Sequence, residues 1–267
     1  MRSSISSTGR KSPRVQPILA VMYREYKIRI TSLVWLFYDI VMPFAYLLIF
    51  GLGFNTAFSS GITSGGSTVS YNTFFLPSVL SMACFGIAIN TSYGFFVDRD
   101  NGIFYEFLTY PMTRSQFLIG KITFNCLTSL VQGIVAVTLG TLFLDVRIAP
   151  SSIPLLLAGV VIGTAGWFFF LAIFALRIRR NDTFNTLINV LYFVLLFLSS
   201  LFYPIESLPA WFRIGSYINP ITWHTDVLRY FSTGMGGGGM VLWEMAAFMI
   251  FLGGSFWFAV RTLQKAV

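Results

Sequence analysis

The stretch VDRDNGIFYEFLTYPMTRSQFLIGK, residues 97–121, lies between two long apolar runs and gathers Asp98, Asp100 and Glu106 with Arg99, Arg114 and Lys121. Three of the chain's ten acidic residues sit in it. Its reading decides the fold, because polar residues between two apolar runs of roughly 20 residues mark a connection between membrane-spanning helices. Asp98, Asp100, Asn101 and Gly102 form a polar exit from the preceding run, with Asp98 or Asp100 placed to cap a following helix. Ile103, Phe104, Phe107 and Leu108 then recur at helical spacing, which predicts a short amphipathic helix over about 102–111. Pro111 stops it, and Ser115 is placed to start the next span. Such a helix, held at both ends by membrane helices, either docks in a groove of a partner or lies in the interface against lipid alone.

Working outward, the 267 residues are 55% hydrophobic, 18% aromatic and only 10% charged, against about a quarter charged in soluble domains. The composition predicts an all-α polytopic membrane protein. A net charge of +8 would suit nucleic acid only with a basic patch on a soluble domain, and the apolar runs leave no room for one. Cys84 and Cys126 both lie in apolar runs, where a thiol behaves as a small hydrophobe, so neither a disulfide framework nor a metal site is expected. The first thirty residues are polar and basic without a short apolar core, so no cleavable signal peptide is expected.

Six spans are predicted, at about 33–54, 74–97, 119–144, 153–176, 183–203 and 240–260. The outer end of the fifth is the least sharply bounded. Lys and Arg remain preferentially on the cytoplasmic side. Placing the N-terminus there puts fifteen of the eighteen Lys and Arg inside and leaves Arg147, Arg213 and Arg229 outside. Both termini are thus expected to be cytoplasmic, in the cell's inner membrane. Residues 1–14 read as a disordered basic tail suited to anionic headgroups. The stretch VQPILAVMYREYKIRI, residues 15–30, predicts an interfacial helix over 15–31, with Arg24, Glu25, Lys27 and Arg29 on a solvated face. The rest, 15–267, is expected to form a single transmembrane domain.

The segment YPIESLPAWFRIGSYINPITWHTDVLRYFSTGMGGGG, residues 203–239, is too apolar for an ordinary loop. Pro204, Pro209 and Pro220 break it into pieces too short to span, which predicts a re-entrant helical hairpin over about 205–229. Irregular backbone at that depth is tolerated only where protein or a water-filled cavity covers it, so a partner subunit or a translocation path is expected beside it. The glycines at 236–239 read as a linker; no Lys-Ser or Lys-Thr follows them to cradle a phosphate.

No catalytic set assembles. His224, the sole histidine, either forms a metal half-site with Asp226 or is an interfacial residue making ordinary hydrogen bonds; metal sites take three or four ligands, and no others lie nearby. GxxxxGK[ST] is absent, so the chain carries no phosphate loop. Asp39 lies about six residues inside the first span. An ionisable group there is by default functional, or it pairs with Arg29 or water near the interface. The run WFFF, residues 167–170, reads as packing and lipid-facing aromatics or as a substrate stack. Gly159, Gly163 and Gly166 share one side of the fourth span and allow close helix packing.

Together, the basic interfacial helix, the six spans, GIFYEFLTYPMTRSQFLIGK after the second and LFYPIESLPAWFRIGSYINPITWHTDVLR after the fifth resemble the type-2 ABC exporter permeases. Within that family they most resemble the daunorubicin-resistance and nodulation-factor export subunits, over residues 15–260. The resemblance implies a half-transporter without enzymatic activity of its own, paired with a second permease subunit as a homo- or heterodimer. It also implies two separate ATPase subunits, which bind ATP and Mg. Glu106, Phe107, Leu108, Tyr110, Pro111, Thr113 and Arg114 would then form the coupling segment at the ATPase interface. Pro204, Leu208, Pro209, Trp211, Asn219 and Pro220 would belong to an outer gate. The cargo would be a drug, a lipid or a lipid-linked glycan, and a fold does not choose among these. The rival reading is a secondary transporter or channel not driven by ATP, which usually shows repeated halves with broken helices; no such repeat is evident, and Asp39 stands alone.

Overall fold

The computed structural model describes residues 16–31, 33–64, 67–107 and 109–265. The basic tail expected over 1–14 lies outside them. Helices α1 (Gln16–Thr31) and α2 (Leu33–Ala57) come first. A small antiparallel ribbon, β1 (Ile62–Ser64) and β2 (Ser67–Val69), pairs Ile62 with Val69. This ribbon was not expected, although Ile, Thr and Val suit a pleated strand and the Thr63 and Thr68 hydroxyls meet across it at 2.8 Å. Then come α3 (Tyr71–Asp100), α4 (Ile103–Phe107), α5 (Arg114–Phe143), α6 (Ile153–Arg177) and α7 (Asn181–Phe197). The short α8 (Ala210–Ile218) and α9 (Pro220–Thr233) precede α10 (Gly238–Lys265).

Among the described residues, α3, α5, α10 and the helix running over Pro150–Arg177 are long and apolar enough to cross a membrane. The apolar part of α2, Val41–Ala57, is shorter, and α7 has 17 residues. The fifth segment was expected to run to 203 and instead stops at Phe197. Side chains take over the carbonyls that a longer helix would bond internally. Asn219 Nδ2 donates to the carbonyls of Leu195 and Leu198, both at 2.6 Å, and Ser199 Oγ donates to that of Leu196 at 2.6 Å.

The bundle is built around α3: 83% of its apolar window is buried, against 33% for α5 and 22% for α10. Ser70 opens α3 by accepting from the Thr73 amide. The glycine stripe on α6 does what its spacing suggested. Leu228 of α9 lies against Gly159, His224 of α9 against Gly163 and Phe248 of α10 against Gly166. A Cβ at Gly163 would sit 2.2 Å from His224 Nε2. Trp167 and Phe168 are buried, and the Trp167 ring lies 4.2 Å from that of Phe85. The aromatic run therefore serves internal packing.

Part of the segment predicted to be re-entrant finds cover within its own chain. α9 packs on α3, α6 and α10 of its own chain, with Thr222, Thr225 and Leu228 fully buried. Of this segment's two helices, α8 is the one that keeps a bare apolar face, at Trp211, Ile214 and Ile218.

Candidate functional site

The α3–α4 junction turns at Gly102, whose φ of 78° lies in the left-handed region that favours glycine. Asp98 does not cap the next helix. It belongs to the last turn of α3, buried, and takes Arg24 on both oxygens, Nη1 to Oδ2 at 3.0 Å. Lys121 Nζ reaches Asp98 Oδ2 at 2.8 Å and Glu25 Oε1 at 2.7 Å, while Arg24 Nη1 lies 3.2 Å from Glu25. Two cations and two anions from α1, α3 and α5 thus satisfy one another, and Arg24 and Glu25 leave the solvated face expected for them. Burial works against the Arg24 charge, but the Asp98 carboxylate outweighs it and raises its pKa. α1 comes this close because α5 offers Gly120, where a Cβ would stand 2.7 Å from that of Val21.

The next charge along the chain, Arg99, donates to the carbonyls of Ala175 and Ile178, the latter at 2.6 Å, at the end of α6. Arg114 Nη1 donates to Leu263 and Gln264 carbonyls at 3.2 and 3.3 Å, at the end of α10. A cation at a helix C-terminus complements the terminal carbonyls and the helix dipole. The segment joining α3 to α5 is therefore fastened to α1, α5, α6 and α10.

Between these ties, α4 is anchored by Phe104, buried against the rings of Phe95 at 5.7 Å and Phe117 at 5.4 Å. Phe107 is half-buried: its ring lies 5.3 Å from Phe117, and the Arg24 guanidinium stands 5.6 Å from its centroid. Glu106 is exposed and makes no ion pair with a described residue. Tyr110 is 66% exposed and Pro111 is exposed. Thr113 starts α5 through a reciprocal cap: its amide donates to Gln116 Oε1 at 2.8 Å and its hydroxyl accepts from the Gln116 amide at 3.2 Å. The helix thus begins at Arg114, ahead of Ser115. Leu108 lies outside the described residues. A groove of about 570 Å³ opens between α1 and α4, lined by Pro17, Ala20, Arg24, Glu106, Phe107 and Tyr110 among others.

At the opposite end of α3, Asn219 is a joint. It holds the end of α7 as described, and its Oδ1 accepts from the Ile221 amide at 3.0 Å to open α9. Pro220 takes the first position of α9, where a missing N–H costs nothing; Pro209 precedes α8, and Pro204 precedes a single 3-10 turn at Ile205–Ser207. Leu208 is half-buried and Trp211 projects outward, 72% exposed. The possibility of a metal half-site at His224 does not survive: Nδ1 pairs with Ser81 Oγ at 2.8 Å and Nε2 with the Gly159 carbonyl at 3.1 Å. Asp226 instead pairs with Arg229 and accepts from Ser200 Oγ at 2.8 Å. The Asp39 side chain lies outside the described residues.

Sequence reading missed the partnerships of Asp98 and Lys121, and it passed over Glu244, which is buried near the start of α10. A lysine two residues inside a predicted span was the available signal for the first. A glutamate four residues inside another was the signal for the second.

Residues 16–231 match the family described as ABC-2 type transporter. The chain is 26% identical over 193 residues to "Putative transport permease ycf38" of Cyanophora paradoxa, covering 72% of this chain and 65% of that protein. It is 27% identical over 164 residues to "Probable multidrug ABC transporter permease YbhR" of Escherichia coli K12, covering 60% and 44%. Against "Daunorubicin resistance ABC transporter permease protein DrrB1" of Streptomyces coeruleorubidus it is 27% identical over 206 residues, covering 74% and 68%. The matched region begins with α1 and ends inside α9, taking in both the fastened α4 segment and the α8–α9 pair, and on this match the chain belongs to the ABC-2 type transporter family.

Proposed function

We propose that this chain is the membrane-spanning permease subunit of an ATP-driven exporter. It crosses the cytoplasmic membrane six times, with α2 and α7 as spans beside the four longer helices, and α1 lies in the inner interface. A separate ATPase subunit binds ATP and Mg and docks against α4, Tyr110 and the groove beside α1. Two permeases and two ATPases form the working complex, and the bare face of α8 meets the second permease as part of the outer gate. The cargo is hydrophobic or amphipathic; similarity to a probable multidrug permease and a daunorubicin-resistance permease favours a drug over a glycan.

The observation that carries this reading is the fastening of the α4 segment. Asp98 ties it to α1 and α5, Arg99 to α6 and Arg114 to α10. A displacement of α4 by a partner is passed to four helices at once, which is what coupling ATP hydrolysis to a membrane bundle requires. The excess of Lys and Arg at the α4 end supports placing that end in the cytoplasm.

The test is purification of the tagged permease from native membranes in mild detergent, with mass spectrometry of co-eluting chains. An ATPase subunit in equal copy number is expected. Proton- or sodium-driven transport by the permease alone, without ATP, would overturn the reading.

A further inference from the structure

A cavity of about 160 Å³ opens where α3, α9 and α10 meet the 3-10 turn that follows Pro204. Three carboxylates line it, on Glu206, Asp226 and Glu244, against one cation, Arg229, for a formal charge of −2. Arg229 balances one of these three charges, and its hydrogen-bond donors are already committed. Nη1 pairs with Asp226, Nη2 donates to Ser78 Oγ and the Ser200 carbonyl at 2.9 Å each, and Nε reaches the Phe74 carbonyl at 3.4 Å. Its guanidinium also lies over the Phe74 ring, 3.9 Å from the centroid.

Glu244 is different. It is 3% exposed, lines the cavity, and makes no hydrogen bond or ion pair with any described residue. A buried, unpaired carboxylate is costly, and a ligand that donates hydrogen bonds removes the cost. The described His, Cys, Asp and Glu residues do not converge three at a time as a metal site needs. The occupant is then an organic cation. Arg229 covers the Phe74 face, so of the lining aromatics only Tyr217 is left, and a single ring makes no aromatic cage for a quaternary ammonium; carboxylate oxygens instead suit the three N–H donors of a primary one.

We infer that this cavity binds a primary alkylammonium group through Glu244, with Glu206 at its rim. The group belongs to an amphipathic amine leaving the outer gate or to an ethanolamine headgroup of the surrounding lipid. The first source rests on the exporter reading above; the binding itself does not, and it is measured on the permease alone.

The experiment titrates the detergent-purified full chain with n-hexylammonium, hexyltrimethylammonium and hexanol, following binding by isothermal titration calorimetry. Saturable binding of n-hexylammonium is expected, about tenfold or more weaker in Glu244→Gln, the loss expected for a hydrogen bond to a charged group. Hexanol and the quaternary amine are expected to bind no better to the parent than to the variant. Equal n-hexylammonium binding by parent and variant, or equal binding of hexanol and the amine, overturns the site. If Glu244→Gln fails to fold, Glu244→Asp and Glu206→Gln replace it, and unchanged binding in both overturns the site. Native mass spectrometry separates the sources. Ethanolamine phospholipid retained by the parent and lost from Glu244→Gln identifies a lipid headgroup, and none retained identifies a transported amine.

Discussion

Lys121 is 1% exposed although it carries an ammonium group, and it is tolerable there only because Asp98 and Glu25 stand 2.8 and 2.7 Å away. Removing one member of a buried ion pair leaves the others uncompensated and costs about 3 kcal/mol or more, whereas removing the pair together is often close to neutral. Asp98→Ala is therefore expected to lower the unfolding free energy in detergent by about 3 kcal/mol, and adding Lys121→Met to recover most of it. Additive losses in that cycle would show that the four charges do not act as a unit. The sequence displayed each of these residues but not their pairing. Arg24 and Asp98 are 74 positions apart, and only the packing of α1 across α5 brings them together.

At the scale of elements, α4 divides its aromatic residues between two tasks. Phe104 turns inward onto Phe95 and Phe117, while Tyr110, just past the helix, turns out. Phe104→Ala is expected to destabilise the bundle by about 3–5 kcal/mol and to lower the yield of folded protein. Tyr110→Ala is expected to leave the melting temperature unchanged but weaken ATPase binding by roughly 30-fold, the effect of losing an anchor of about 2 kcal/mol. Tyr110→Ala complexes that assemble and hydrolyse ATP like the parent would leave α4 an interfacial helix facing lipid. The spacing of Ile103, Phe104 and Phe107 made the helix legible. Which aromatic faced inward was not, because both sides of so short a helix are apolar and the turn at Gly102 sets its rotation.

For the whole molecule, orientation is the property most open to direct test. Ser115→Cys is expected to resist an impermeant thiol reagent added outside intact cells, and Ala210→Cys, at the exposed start of α8, to react; the opposite pattern would invert the topology. The helical, membrane-embedded class, the order of the long apolar helices and the turn segment at 97–121 were determined by the sequence itself. Spans declare themselves through a run of apolar residues about as long as the bilayer is thick, a strictly local property. Tertiary structure alone decided that the charges at 98, 99 and 114 fasten four other helices, that α9 is sheltered by its own chain, and that Glu244 faces a cavity with no hydrogen-bonding partner among the described residues. Each of these depends on which helix faces lie against one another. In an apolar chain, nearly every face is hydrophobic enough to be inside, so the pattern of hydrophobicity cannot rank them. The choice falls to glycine notches such as Gly120 and Gly163 and to the few polar side chains that must find partners away from water.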